Sequence, residues 1–218
     1  GVAILGGTGY GAGELLRLFA EHPRVEIVSV VSRSSAGQSI SATHPHLRAI
    51  AARSFDETID IEKLSRFKYS VIFTALPHGT SPQTIADLVK DSRLDTVKFI
   101  DLGGDFLLQN EALQHAFYPD NGAAPRALRN SFAYGLPELN RETIASARFI
   151  ANPGCYATTC ILAVFSLISS SFHSPIYFDA KSGTSGAGRT AQAQFHHPEL
   201  HGNFAPYKVL EHRHEPEI

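Results

Sequence analysis

A strand-length apolar run that ends in glycines and reopens as a helix leaves a chain few folds to choose from, and this one begins that way. Val2-Ala3-Ile4-Leu5 reads as a short buried strand, Gly6-Gly7-Thr8-Gly9-Tyr10-Gly11-Ala12-Gly13 as a turn, and Glu14 to Ala20 as a helix stopped before Pro23. Val25 to Val31 is the next strand and completes a βαβ unit, which requires a parallel sheet with helices on its faces. Gly6 and Gly9 with Ala12 fit a G-x-x-G-x-x-G/A spacing, in which glycines let the backbone approach a pyrophosphate seated on the helix N-terminus. The competing reading is a tight glycine turn with no ligand.

The end of the second strand narrows the ligand. A site built for NAD usually ends that strand in an acidic residue for the ribose 2′-OH, whereas here it runs into Ser32-Arg33-Ser34-Ser35. A guanidinium and hydroxyls suit a 2′-phosphate, so NADP is the expected cofactor. The alternative is that Arg33 is a solvated loop charge.

Further along, Tyr69 to Leu76 reads as a strand, Ser81-Pro82 as an N-cap and first helical residue, Gln83 to Lys90 as a helix and Val97 to Leu102 as another strand. Residues 103 to 148 are richer in Pro, Gly and Asn without a clear period, and read as excursions around the end of the sheet. The composition changes at Phe149-Ile150-Ala151, which divides the chain into a dinucleotide-binding domain, 1–150, and a second domain, 151–218. In the second, a helix from Cys155 to about Ser170, a strand from Ile176 to Ala180, a glycine-rich loop and a His/Pro-rich tail are expected.

A chain of 218 residues with 43% hydrophobic residues can bury a proper core. A net charge of −2 and the absence of any Lys/Arg run give no basic field for nucleic acid and no patch for a membrane surface. Two cysteines without a secretory segment point to a reducing cytoplasm. There is no Met at any position, from which we expect a sequence that either is trimmed or has lost modified methionines.

Cys155 lies in Asn152-Pro153-Gly154-Cys155-Tyr156, where a turn runs into an apolar helix. Unpaired N–H groups and the positive end of the helix dipole stabilise a thiolate at such a position. Position alone leaves a nucleophile and a packing residue equally open, whereas Cys160, inside the apolar run, reads as a buried structural thiol. Ser182 to Arg189 is a loop of small residues that lets a backbone pass close to a ligand, although such loops are common as ordinary turns. In the tail, His212 and His214 share a face if the segment is extended. With His196, His197 and His201 they raise the question of a metal. Pro interrupts both clusters, neither has a cysteine partner and neither is expected to form a helical i, i+4 pair, so no metal site is assigned. A histidine that moves protons beside a thiol fits better.

Gly6-x-Thr8-Gly9-Tyr10, Leu76-Pro77-His78-Gly79, Tyr134-Gly135-Leu136-Pro137-Glu138-Leu139, Asn152-Pro153-Gly154-Cys155-Tyr156, Ser182-Gly183-x-Ser185-Gly186-Ala187-Gly188-Arg189 and His212-Arg213-His214-x-Pro216-Glu217 occur in that order. The chain thereby resembles the N-acetyl-γ-glutamyl-phosphate reductases of arginine biosynthesis, relatives of aspartate-semialdehyde dehydrogenase. The resemblance implies an α/β fold: a Rossmann-type parallel-sheet domain plus an α+β catalytic and dimerisation domain, hence a homo-oligomer. It also implies NADP-dependent reduction of an acyl phosphate to an aldehyde with release of inorganic phosphate. Cys155 would be the nucleophile and His212 the general acid/base, with His214 a nearby alternate. Gly6, Thr8, Gly9, Tyr10, Gly11, Ser32, Arg33 and Pro77 would line the cofactor's adenosine and pyrophosphate side, and Gly183, Ser185 and Gly186 the nicotinamide side. Asn152, Arg189 and His214 would contact substrate. Three departures stand out: Ala12, with Gly11 and Gly13 beside it, takes the place of the fingerprint's usual third glycine, which the G/A spacing tolerates; Leu107 follows Asp105-Phe106 where the family commonly has Arg; and the chain stops at Ile218 inside a motif that normally continues, so the second domain is expected to be incomplete here. The rival readings are a sibling enzyme acting on an aspartyl or aminoadipyl phosphate, and a noncatalytic NADP-binding sensor with an inert Cys155.

Overall fold

The computed structural model describes residues 1–47, 50, 52–118, 125–167 and 174–218. Two compact units are present, Gly1–Pro153 and Gly154–Ile218.

The first unit is built on six parallel strands: β1 (Val2–Leu5), β2 (Ile27–Val31), β3 (Val71–Thr74), β4 (Lys98–Asp101), β5 (Phe132–Tyr134) and β6 (Phe149–Ala151), in the order β2-β1-β3-β4-β6-β5. Between them lie the helices α1 (Tyr10–Ala20), α2 (Ile40–Thr43), α3 (Ile61–Ser65), α4 (Ser81–Leu88), α5 (Glu111–Phe117), α6 (Arg126–Arg129) and α7 (Pro137–Ser146). Alternation along β1 shows how the sheet is covered. Ala3 and Leu5 join one buried cluster with Leu64 of α3 and Ile85 of α4, whereas Val2 and Ile4 join another with Ala12 and Leu16 of α1. Helices therefore pack on both faces, and β1 is buried throughout, as a central parallel strand must be.

β1 connects outward to β2, and the next strand, β3, lies on the opposite side of β1. That reversal is a topological switch point, where the loops leaving two adjacent carboxyl ends diverge and open a crevice. The outer edge of β2 is covered by the passing segment at Asp56, which exchanges backbone bonds with Val30 and Ser32 and accepts the Val30 N–H on its carboxylate at 2.8 Å.

Residues 103 to 148 hold more order than the expected excursion: α5, α6, α7 and the edge strand β5 all fall there. At three residues β5 is too short to show a period, and it forms because Phe132 stacks on Phe106 with ring centroids 3.8 Å apart. α1 begins four residues before the expected start, because the glycines that looked like turn supply its first helical positions. α4 starts at Ser81 with Thr80 as N-cap and Pro82 in the second position, one residue off the expected register.

The second unit contains α8 (Cys155–Phe165) and α9 (His197–Leu200), joined to short 3₁₀ turns at Thr184–Ala187 and Ala193–Phe195. α8 ends at Phe165 with Ser166 as C-cap, short of the expected end near Ser170, a residue outside those described. The strand expected over Ile176–Ala180 does not form. A strand needs a partner, no other strand of this unit is present among the described residues, and Tyr177 stands 92% exposed.

Candidate active site

Two clusters of the expected residues form, one in each unit. In the first, the glycine loop after β1 and the loop after β3 meet at the switch point. Gly6 has φ +82, and a Cβ there would lie 2.2 Å from the Ala75 carbonyl oxygen, so only glycine permits both the turn and the contact. The Gly6 and Gly7 N–H groups both donate to Val31 O, at 3.0 and 2.9 Å, which ties the loop to the end of β2 and thus to Ser32. Gly9 caps α1 without any side chain, and Gly9 and Gly11 have open space where a Cβ would add only ordinary contacts. With no acidic residue in its first turn, the α1 N-terminus keeps its positive character for an anion. These features suit the pyrophosphate of a dinucleotide, which Gly6, Thr8, Gly9, Tyr10 and Gly11 would cradle.

Ser32 is buried and donates its N–H to Asp56 O at 3.0 Å, whereas Arg33 opens a 3₁₀ turn and is exposed. Among the described residues, the acidic side chain bonded to β2, that of Asp56, is spent on the Val30 amide inside the sheet edge. Pro77 is exposed in the loop leading to α4. Leu107, in the position where the resemblance leads one to look for Arg, is buried in the core and offers no charge.

Sequence reasoning missed a residue that holds the loop. His44 is 1% exposed, its Nε2 lies 2.8 Å from Gly7 O, and a Cβ on Gly13 would stand 2.8 Å from its Nδ1. A lone His after a short helix carries no signal of that role. Gly13 does, in retrospect, since a glycine inside an amphipathic helix marks a close approach.

In the second unit, Cys155 is exposed as the first residue of α8, with Gly154 as N-cap, and Cys160 is buried. Burial pushes the Cys160 thiol up. The tail closes on this helix start. The Glu217 carboxylate accepts the Gly154 N–H at 2.8 Å, and a Cβ on Gly154 would lie 2.6 Å from His214 Nε2. The His212 and His214 rings meet edge to face with centroids 4.8 Å apart, and His212 also meets Tyr156 at 5.1 Å and Tyr207 at 5.5 Å. The segment is a succession of turns and not extended, with Glu215 N–H donating to His212 O at 2.9 Å; the turn, and not strand alternation, brings the two imidazoles together. His212 Nδ1 accepts the His214 N–H at 3.2 Å, which leaves the ring proton of the neutral form on Nε2, 3.2 Å from the Tyr207 hydroxyl. Partial burial, with Lys208 and Arg213 nearby, lowers the His212 pKa below its ordinary value. Burial pushes Tyr207 up, and the neighbouring Tyr156 and Cys155 add to it.

Of the other expected contacts, Asn152 belongs to the first unit, and Gly183, Ser185, Gly186 and Arg189 belong to the second. Asn152 donates its backbone N–H to Asp101 O at 2.8 Å at the end of β6. Gly183, Ser185, Gly186 and Arg189 lie in an exposed loop. His197 and His201 do stand one helical turn apart, with ring centroids at 5.5 Å, because Pro198 serves α9 as an early helical residue and not as a breaker. Even so, no group of three metal-ligating side chains is found among the described residues.

An all-parallel sheet wound on both faces, with a glycine loop at its switch point, defines a nucleotide-binding fold of the Rossmann type, here followed by a separate thiol- and histidine-bearing unit. Residues 1–147 match the semialdehyde dehydrogenase, NAD binding domain, and residues 155–218 match the semialdehyde dehydrogenase, dimerisation domain. The chain belongs to the semialdehyde dehydrogenase family, and its cofactor class is a nicotinamide dinucleotide. Curated relatives named N-acetyl-gamma-glutamyl-phosphate reductase include those of Methanocaldococcus jannaschii, 40% identical over 219 residues, and Psychrobacter sp. (strain PRwf-1), 42% identical over 224 residues. Each match covers 100% of this chain and 62% of the relative. The Bacillus cytotoxicus protein of that name is 41% identical over 219 residues, with 61% of it covered. The chain thus spans about three fifths of the length of these relatives. Among the described residues no helix is long and apolar enough to cross a membrane.

Proposed function

We propose that this protein catalyses the NADP-dependent reductive dephosphorylation of N-acetyl-γ-glutamyl phosphate to the corresponding semialdehyde, a step of arginine biosynthesis, as an oligomer in the cytoplasm. The observation that carries this reading is the start of α8, where an exposed Cys155 follows a Gly154 that is clasped by His214 and Glu217.

The Cys155 thiolate attacks the acyl carbon of the substrate, the carbon–oxygen bond to phosphate breaks, and inorganic phosphate leaves a thioacyl enzyme. When bound, NADPH supplies a hydride to that acyl carbon. The resulting thiohemiacetal oxyanion reforms its carbonyl as the carbon–sulfur bond breaks, releasing aldehyde and returning the thiolate. The proton consumed overall passes through His212, whose lowered pKa keeps it neutral and able to exchange a proton near pH 7. Backbone N–H groups at the start of α8 stabilise the oxyanion, a contribution worth about 100-fold or more per donor.

For the cofactor, Gly6, Thr8, Gly9, Tyr10 and Gly11 hold the pyrophosphate, Pro77 lines the crevice, and Ser32 with Arg33 takes the 2′-phosphate. The commitment of Asp56 to the Val30 amide supports NADP over NAD, because no carboxylate on β2 is then offered to a ribose 2′-OH. Gly183, Ser185 and Gly186 serve the nicotinamide side, and Asn152, Arg189 and His214 the substrate. The test is phosphate-dependent reduction of NADP by N-acetylglutamate semialdehyde, with aspartate semialdehyde and NAD as comparisons. Cys155→Ser abolishes turnover; retained turnover in that variant, or a preference for the aspartyl substrate, overturns the assignment.

A further inference from the structure

Two carboxylates are buried at the carboxyl end of the sheet, outside the glycine loop. Asp101 closes β4 at 0% exposure and accepts the Thr74 hydroxyl at 2.5 Å. Asp105, 2% exposed, turns to the loop after β3, and both its oxygens accept the Gly79 N–H, at 2.9 and 3.1 Å. Gly79 stands at φ +81 between Pro77-His78 and α4, whose N-cap Thr80 makes no side-chain cap. Asp105 therefore supplies from a different strand connection the negative charge that this helix start lacks. The same turn is tied a second time, as the Gly104 N–H donates to His78 Nδ1 at 3.2 Å. Gly104 in turn abuts Tyr118 so closely that a Cβ would lie 2.3 Å from its ring. Loop position at the switch point thus rests on a buried carboxylate from another strand connection as well as on the loop's own bonds, those of His78 to Gly104 and of Thr80 N–H to Pro77 O.

We propose that Asp105 is a positioning residue for the cofactor: by pinning Gly79 it sets the Pro77–Thr80 turn against the dinucleotide crevice, and affinity for the nucleotide falls when its charge is removed. This role rests on the reading that Pro77 lines the dinucleotide site. Burial and the neighbouring Asp101 push Asp105 up to about 6, against the pull of the Gly79 and Ser81 amides. The titratable groups around it are Asp101 on β4, His78 in the turn and Tyr118 at the end of α5. Protonation leaves a neutral acid, a weaker acceptor for the Gly79 amide, and the turn loosens.

The experiment is a fluorescence titration of the purified enzyme with NADPH, and with NADH, which lacks the titrating 2′-phosphate, between pH 5 and 8. Asp105→Asn weakens NADPH binding roughly tenfold at pH 7.5, the scale set by one hydrogen bond to a charged group, and removes the step near pH 6 from the NADH profile. His78→Asn keeps that step. Wild-type affinity and an unchanged step in Asp105→Asn overturn the proposal. If that variant does not fold, the wild-type NADH profile decides: a midpoint near 6 supports the role and a flat profile overturns it. A wild-type enzyme that binds neither nucleotide sinks the cofactor reading itself, a result distinct from tight binding that ignores Asp105.

Discussion

The His214 imidazole rests on Gly154, with Nε2 only 2.6 Å from where a Cβ on that glycine would stand. Gly154 has φ −64, a value open to any residue, so the position is a glycine for room and not for backbone conformation. Gly154→Ala must therefore displace the ring or the start of α8, and either movement shifts Cys155 relative to the histidines. A misplacement of about 1 Å costs on the order of 100-fold in rate. Steady-state kinetics should show that loss in kcat/KM while the melting temperature changes little; an unaltered kcat/KM would remove His214 and Gly154 from the site.

The two cysteines provide an internal comparison on one helix. Cys155 is exposed at its first turn, whereas Cys160 is 3% exposed and its thiol is held up by burial. Iodoacetamide at neutral pH should modify Cys155 faster than a free peptide thiol and leave Cys160 untouched in the folded protein, as read by peptide mass mapping. A Cys155 no faster than the peptide would favour an inert thiol in a nucleotide-binding sensor. Cys160→Ala should cost about 1 kcal/mol of stability or somewhat more, with activity retained, because only a small buried group is lost.

His44 joins the glycine loop to the core through Gly7 O at 2.8 Å and packs on Gly13. His44→Ala empties a buried site and strands a carbonyl, for a combined cost of about 2–4 kcal/mol. Urea unfolding measures that cost. Nucleotide affinity should fall with it, since Gly7 belongs to the loop that would cradle the pyrophosphate. A variant with normal stability and affinity would show that the loop is held by Val31 alone.

The legible parts of this fold were those with a local signal. β1, the glycine loop and β2 could be read from the alternation of an apolar run, a φ-permissive turn and a second apolar run. Cys155 could be placed at a helix start because Pro153-Gly154 punctuates the chain just ahead of an apolar stretch. What escaped depends on distant partners: β5 forms where Phe132 meets Phe106 and Phe149, and Glu217 reaches Gly154 across 63 positions of sequence. Neither pairing leaves a periodic trace. The false strand at Ile176–Ala180 has the converse cause, since β propensity describes fitness for a sheet and no partner strand is present among the described residues of that unit.

His212 gives a signed expectation for pH. Burial first, then Lys208 and Arg213, lower its pKa, so the folded protein keeps the ring neutral at pH values where an ordinary histidine is already half protonated. The unfolded chain binds that proton near pH 6.5 and the folded one only below it, so lowering the pH through 6.5 favours unfolding by this group. On the proposed mechanism, in the direction of aldehyde oxidation the thiol loses a proton to the neutral imidazole. The acid limb of kcat/KM should therefore fall below pH 6.5, and Lys208→Gln should move it upward by relieving the repulsion that disfavours the imidazolium. Tyr207→Phe tests the other nitrogen: it removes the hydroxyl 3.2 Å from Nε2, and with it the partner of the ring proton. That variant should lower kcat about tenfold while Lys208→Gln leaves kcat near wild type, because one disturbs the orientation of the ring and the other only its charge. An acid limb that stays fixed in Lys208→Gln, or a Tyr207→Phe enzyme with full kcat, would take His212 out of the proton path and leave His214 as the remaining imidazole at the helix start.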